Sequence, residues 1–348
     1  MPSPQPSRLG FGTSGIMGAA LTSRGRLRLL ETAFDAGIRH FDTAPLYGLG
    51  LAEEVLGRFA RGRRQQITLT TKFGLVPPAI PAPLRPVVPV ARILHRRLGG
   101  RWRAALRALA IGRPLPTPSA AASAAPGVAS PPRLGDRAMA APAAAPYNLA
   151  ALRASLDTSL RKLGTDHIDF FLLHECQPGQ LTEEGITLLE GLVAEGKIGR
   201  WGLGSGRTSS RVILERWPDR NALVQIPDHL LRRDTSWFAR HGASPLFTHS
   251  VLQGPLRDPA CQGLLPILLR GWAERTGQDP SKPGLLGELL LLGGLLNNAE
   301  GCVLFSSGQS ARIAAQGRLA RQLPSLGPPL AKLLAELPLA GAEGEPCL

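Results

Sequence analysis

The sequence predicts an α/β fold: a (β/α)8 TIM barrel carrying a long basic, Ala/Pro-rich insertion in the loop after the third strand. Three observations carry this. Short β-branched runs alternate with amphipathic helical runs along most of the 348 residues. Ionisable residues stand where successive strand-like runs end, which is the face on which a parallel barrel gathers its active site. Eight strand-like runs can be counted, for which a closed barrel is the economical reading and an open doubly wound sheet the alternative.

Residues 8–14 read as a strand running into a Gly/Ser turn, where small side chains let a ligand approach the backbone. Thr22 suits the N-cap of a helix over 24–36, and Gly37 its close. The buried run 38–43 is the second strand. It carries Asp42 at its end, with Tyr47 in the loop beyond. A helix over 51–61 places Ala52, Val55, Leu56 and Phe59 on one face. The strand 67–71 then runs into Lys72, completing an uninterrupted βαβαβ pattern.

Residues 76–146 break the pattern. Apolar residues at Val90, Leu94, Leu98, Trp102, Leu106 and Leu109 predict a basic amphipathic helix over 90–113, interrupted at Gly99-Gly100. The Ala, Pro and Ser of 114–146 bury too little apolar surface to offset ordering, and predict a flexible linker. The alternation then resumes with a helix over 149–163 and the strand 168–173 leading to His174. A helix over 181–195 precedes the strand 198–204, which ends at Ser205-Gly206. A helix over 209–217, the strand 222–226 with Gln225, a helix ending at 237–241 and the strand 245–250 follow. A helix over 285–296, the strand 301–305 and a helix over 310–319 complete the assignment. The expected organisation is one barrel from 8–75 and 147–322, the insertion 76–146, and an irregular Leu/Pro-rich tail over 323–348.

Composition narrows the class. Hydrophobic residues make up 43 % of the chain, enough for a large core. Of the net charge of +14, +9 falls in residues 76–147, where ten arginines face Asp136 alone. The remainder is mildly basic, so no nucleic-acid partner is expected. The insertion has three readings: a cover lending arginines to an anionic substrate group, a patch over 85–113 for an anionic membrane surface or protein partner, or a solvated appendage. Residues 1–7 lack the pattern of a signal peptide, and the apolar run 285–296 is too short and too interrupted to span a membrane. Cys176, Cys261, Cys302 and Cys347 show no metal-ligand spacing, so no metal site is placed and reduced thiols in the cytoplasm are expected.

Taken singly, Asp42 can be a turn cap, Tyr47 packing, Lys72 a surface lysine and His174 a core histidine. Together they form a proton-transfer device. A phenol has an ordinary pKa of about 10. A buried ammonium beside it favours phenolate, and a carboxylate holds that ammonium. An imidazole can orient a carbonyl or hydroxyl oxygen against the phenol, which then gives or takes a proton. The electron pair must arrive as hydride, which implies a nicotinamide.

The motif Phe41-Asp-Thr-Ala-Pro-Leu-Tyr-Gly48 with Glu53-Glu-Val-Leu-Gly57 resembles the first signature of the aldo-keto reductase family. Residues 156–169 with Leu172-Leu-His174 resemble the second. Glu195-Gly-Lys-Ile-Gly-Arg-Trp-Gly-Leu-Gly-Ser205 is similar to the family's approach to the nicotinamide carboxamide site. The resemblance implies a catalytic tetrad of Asp42, Tyr47, Lys72 and His174, and an extended NADP, with NAD as the alternative. It implies Thr13, Asp42, Ser205 and Gln225 as cofactor neighbours and His249 as the ring against the nicotinamide. Ser307-x4-Arg312-Ile-x2-Gln316 resembles the adenosine-phosphate site. The form Asp-Thr-Ala-Pro-x-Tyr-Gly-x-Gly-x-Ala-Glu is similar to members acting on free sugars as aldose 1-dehydrogenases. The implied activity interconverts a carbonyl or sugar with an alcohol or lactone. The rival is a nucleotide-binding barrel that serves as a regulatory or interaction subunit without turnover.

Overall fold

A computed structural model describes residues 6–75, 81–97, 147–218, 220, 223–232 and 234–337. Eight parallel strands close on themselves in sequence order. They are β1 (Leu9–Gly12), β2 (His40–Asp42), β3 (Thr68–Phe73), β4 (Ile168–His174), β5 (Ile198–Gly204), β6 (Leu223–Pro227), β7 (Leu246–His249) and β8 (Cys302–Phe305). Helices α1 (Ser23–Asp35), α2 (Ala52–Ala60) and α3 (Val88–Arg97) accompany the first three strands. The remaining helices are α4 (Leu149–Leu163), α5 (Glu183–Ala194), α6 (Arg207–Arg216), α7 (Asp234–Arg240), α8 (Leu265–Thr276), α9 (Leu285–Asn297), α10 (Ser310–Arg321) and α11 (Leu323–Glu336).

The two-residue period of a strand explains how the site is positioned. Odd and even residues of β4 divide between two cores. Phe171 and Leu173 pack outward with the helices, in the large core. Phe170 and Leu172 face inward, with Leu223, Phe247, Cys302 and Leu304. The inward parity continues towards the carboxyl ends, and there it delivers Asp42, Lys72, His174, Gln225 and His249 to one mouth of the barrel. The register agrees: Asp42 lies beside Thr70, Lys72 beside Leu172, and His174 beside Gly204. Lys72 and His174 therefore lie within their strands, one or two residues further along than the apolar runs predict. Pairing with the neighbouring strand extends each element past its last apolar residue.

Below this mouth the barrel is plugged by rings. His40 stacks on Phe247 at 4.8 Å and meets Phe170 edge-on at 5.7 Å. Its Nδ1 lies 2.9 Å from Thr68 Oγ1, and its Nε2 lies 3.3 Å from Thr70 Oγ1. Gly10 faces the same layer. A Cβ there would approach Leu304 and Cys302 to 2.6 and 2.9 Å, so the layer closes only around a glycine.

The helices follow expectation in order, with two corrections. The tail from residue 323 is not irregular: α11 runs through Pro328 and Pro329 and buries Leu330, Leu333 and Leu334. Contacts with α8 and α9 override the prolines' local preference. The stretch 251–284, for which the sequence predicts no element, contains helical turns at Gly254–Arg257 and Pro259–Gln262 and then α8. In the insertion α3 forms over Val88–Arg97 and packs against the turn at Ile16–Gly18. The rest of the predicted basic helix and the Ala/Pro-rich run lie outside the described residues, as does the end of the chain beyond 337. Cys176, Cys261 and Cys302 are buried and outside any disulfide. No helix among the described residues is long and apolar enough to cross a membrane.

Burial leaves several histidines hard to protonate. His40 is lowered to about 4 by burial, as is His249, and His174 to about 3. Unfolded histidines take up protons near their ordinary pKa of about 6.5, whereas the native ones do not. Stability is therefore full above about pH 6.5 and declines as pH falls towards 4. Denaturant midpoints measured from pH 7.5 to 4.5 should show this decline; a flat profile would mean that these rings are not buried as neutral species.

Candidate active site

At the carboxyl mouth a buried ion pair forms the floor. Lys72, only 1 % exposed, donates from Nζ to Asp42 Oδ2 at 2.5 Å and to the Thr43 carbonyl at 3.0 Å. Gln225 Nε2 donates to the same carboxylate oxygen at 2.8 Å. Burial disfavours the ammonium, but Asp42 and then Tyr47 more than offset it, so Lys72 titrates above the ordinary lysine value.

Tyr47 follows Ala44-Pro-Leu46 on a turn at Tyr47–Gly50. Gly48 has a φ of +59°, and a Cβ there would run into Met17 at 2.2 Å, so this turn needs glycine. The turn holds the Tyr47 ring with Lys72 Nζ 5.0 Å from its centroid. The His174 ring meets it edge-on, with centroids 6.0 Å apart. Tyr47, Lys72, Asp42 and His174, predicted separately along the chain, are thus brought into one cluster.

The electrostatic balance at Tyr47 differs from the sequence expectation. Burial raises the phenol's pKa by more than Lys72 lowers it, so the net direction is upward. The group is a protonated phenol at neutral pH, suited to giving a proton. His174 is held neutral, first by burial and then by Lys72, and its Nδ1 is buried without a hydrogen-bond partner.

Above the floor lies a cleft of about 300 Å3 lined by Asp42, Tyr47, His174, Gln225 and His249, together with the loop Ser250–Gln253. A second cavity of about 510 Å3 is lined by Ser307, Arg312 and neighbours. Gln253 and Ser306 border both, so the two form one elongated groove. Gln316 lines neither cavity; it lies one turn after Arg312 on α10, with its Oε1 buried and unpartnered. His249 lines the cleft with Nδ1 2.9 Å from Ser250 Oγ.

Two predicted neighbours of a cofactor are turned elsewhere. The Thr13 hydroxyl donates to the Asp42 carbonyl at 3.0 Å and lies 2.9 Å from Thr43 Oγ1, fully buried. Ser205 donates to the Leu173 carbonyl at 3.4 Å. Both brace strand ends rather than line the groove. Sequence reasoning missed Glu175, Gln253 and Ser306, all of which line the cleft. Glu175 alone carried a readable signal, being a second titratable residue at the end of β4.

Residues 8–257 match the family model described as the aldo/keto reductase family. The chain is 44 % identical over 69 residues to D-threo-aldose 1-dehydrogenase of a Pseudomonas species, covering 19 % of this chain and 21 % of that one. It is 27 % identical over 277 residues to 6-dehydroglucose reductase of Agrobacterium fabrum, covering 76 % of this chain and 74 % of that one. The matches to the first curated relatives span about a fifth of those proteins' length. An aldo/keto reductase from Klebsiella pneumoniae, solved in complex with NADP and acetate, aligns with a TM-score of 0.60 and 20 % identity over 97 % of this chain and 93 % of that one. At that identity the likeness is one of fold.

Proposed function

The chain belongs to the aldo/keto reductase family, and from that premise we propose that it is an NAD(P)-dependent oxidoreductase interconverting a carbonyl compound or aldose with an alcohol or lactone. The observation that carries this reading is the buried Asp42–Lys72 pair beneath the Tyr47 phenol, with neutral His174 facing the same ring. The groove supports it by its length and lining: a polar cleft at the tetrad and a second cavity with Arg312, one turn before the orphaned Gln316 Oε1. The names of the two relatives, an aldose dehydrogenase and a dehydroglucose reductase, support a sugar among the substrates.

In this reading Gln225 and His249 hold the nicotinamide end of NADP at the tetrad. Ser307 and Arg312 hold the adenosine phosphate, with Gln316 near the adenine. The cofactor supplies or accepts the hydride. The chain's own residues do the rest. His174, neutral, orients the substrate oxygen towards Tyr47. The Tyr47 hydroxyl gives its proton to that oxygen as negative charge develops, and takes it back in the reverse direction. Lys72 stabilises the phenolate left behind, and Asp42 with Gln225 fixes Lys72 in place.

NADPH oxidation with aldehydes, ketones and sugar aldehydes, and NADP+ reduction with aldoses, test the reading. Turnover in either direction supports it. Cofactor binding with no turnover on any substrate would instead favour a regulatory or interaction subunit. The phosphate site makes its own prediction. Arg312→Ala should raise the Kd for NADPH by about tenfold to a hundredfold, the loss of one charge-assisted contact, and change that for NADH far less. Fluorescence titration measures both, and equal effects on the two would remove Arg312 from the phosphate site.

A further inference from the structure

One charged group in the cleft has no part in the chemistry above. Glu175 follows His174 and takes a φ of +53°, a conformation L side chains rarely adopt. Several bonds hold it there. Its N–H donates to the Gly204 carbonyl at 3.0 Å, and its own carbonyl accepts from Gln177 Nε2 at 3.1 Å. The Gly206 amide, at the start of α6, favours the charged form of its carboxylate. Glu175 lines the cleft with Tyr47 and His174, and its charge is felt at the Tyr47 phenol, whose pKa it helps to raise. Burial raises its own pKa. Among the described residues no lysine, arginine or histidine pairs with it.

The other carboxylate at the mouth, Asp42, is neutralised by Lys72. Glu175 is not. A half-buried carboxylate has oxygen lone pairs that favour hydrogen-bond donors, and it repels a second negative charge. We propose that Glu175 selects the substrate: its carboxylate accepts a hydrogen bond from a hydroxyl near the reacting carbon, favouring neutral polyhydroxylated carbonyls such as aldoses over simple aldehydes and over anionic carbonyls. The proposal rests on the oxidoreductase reading and adds the substrate class. A site built to accept from a hydroxyl discriminates against an analogue that lacks it, because the acceptor is then left without its donor. Uronates, keto acids and sugar phosphates would bring like charge against Glu175.

Glyceraldehyde and propanal share a three-carbon chain and differ in their hydroxyls, so the ratio of their kcat/KM values isolates this contact. The wild type should favour glyceraldehyde, and Glu175→Ala should lower the ratio about tenfold or more. Glu175→Gln keeps an acceptor for the Gly206 amide but removes the charge; in it, glucuronate should gain on glucose by a similar factor. The Kd for NADPH, measured by fluorescence, should move little in either variant. A ratio that stays constant, with both aldehydes falling together, would assign Glu175 to the β4 turn alone and overturn the proposal. A change confined to the Kd for NADPH would assign the carboxylate to the cofactor's amide and overturn it too. No turnover of any carbonyl or aldose by folded wild-type protein, these two aldehydes included, would overturn the oxidoreductase reading itself, and this inference with it.

Discussion

Replacing Tyr47 by phenylalanine should lower kcat for carbonyl reduction by about two to four orders of magnitude, the usual contribution of a positioned general acid. The ring and its contact with Lys72 and His174 stay in place; only the hydroxyl is lost. Cofactor affinity should therefore hold, because Tyr47 lies at the tetrad end of the groove and Arg312 at the other. In the proposed mechanism Tyr47 is the acid, a role that suits a phenol kept protonated by burial with Lys72 beside it to steady the charge left behind. A Tyr47→Phe enzyme that retains more than about a tenth of its kcat would require another proton donor. Steady-state kinetics with one aldehyde, alongside an NADPH titration of the same preparation, decides it.

Removing Lys72 should be nearly as damaging to the fold as to the reaction. Lys72→Met leaves the Asp42 carboxylate buried with the Gln225 amide as its remaining side-chain donor. Breaking a buried pair from one side typically costs about 3–5 kcal/mol, because an uncompensated charge stays behind. Adding Asp42→Asn to Lys72→Met should recover part of that loss, since a neutral amide is cheaper to bury than an unpaired carboxylate. Urea unfolding of the wild type, both single variants and the double variant forms the cycle. The coupling should place the double variant above Lys72→Met in stability while leaving it as inactive. Additive losses would mean that the two groups do not depend on each other.

Much of this arrangement was legible in the sequence because it follows from two simple periodicities. Alternation of short apolar runs with helical stripes gave the barrel and most of its helices. Asp42, Lys72 and His174 were visible because each sits where an apolar run meets polar chain, and inward parity then brings them together. What stayed hidden depends on tertiary contacts. Strand pairing, not composition, carries β3 on through Lys72 and Phe73. Helix α11 forms across Pro328 and Pro329 because Leu330 and its neighbours find a surface to bury against. The loop Ser250–Gln253 has no periodicity, yet it walls the cleft after β7. The direction of the Tyr47 shift could not be read from residue order, since it turns on how burial weighs against one ammonium. Glu175 was in plain view beside His174; its left-handed backbone, and its lack of a cationic partner among the described residues, were not.

The central claim is hydride transfer driven by the Tyr47 cluster, and isotope transfer tests it most directly. The protein is mixed with NADPH deuterated at the transferable C4 position and an accepted aldehyde, and the alcohol is analysed by mass spectrometry. The account predicts one deuterium on the carbinol carbon with the wild type and a rate of label transfer reduced by orders of magnitude in Tyr47→Phe. Tight NADPH binding with no label in any product would contradict it and leave a nucleotide-binding barrel without turnover.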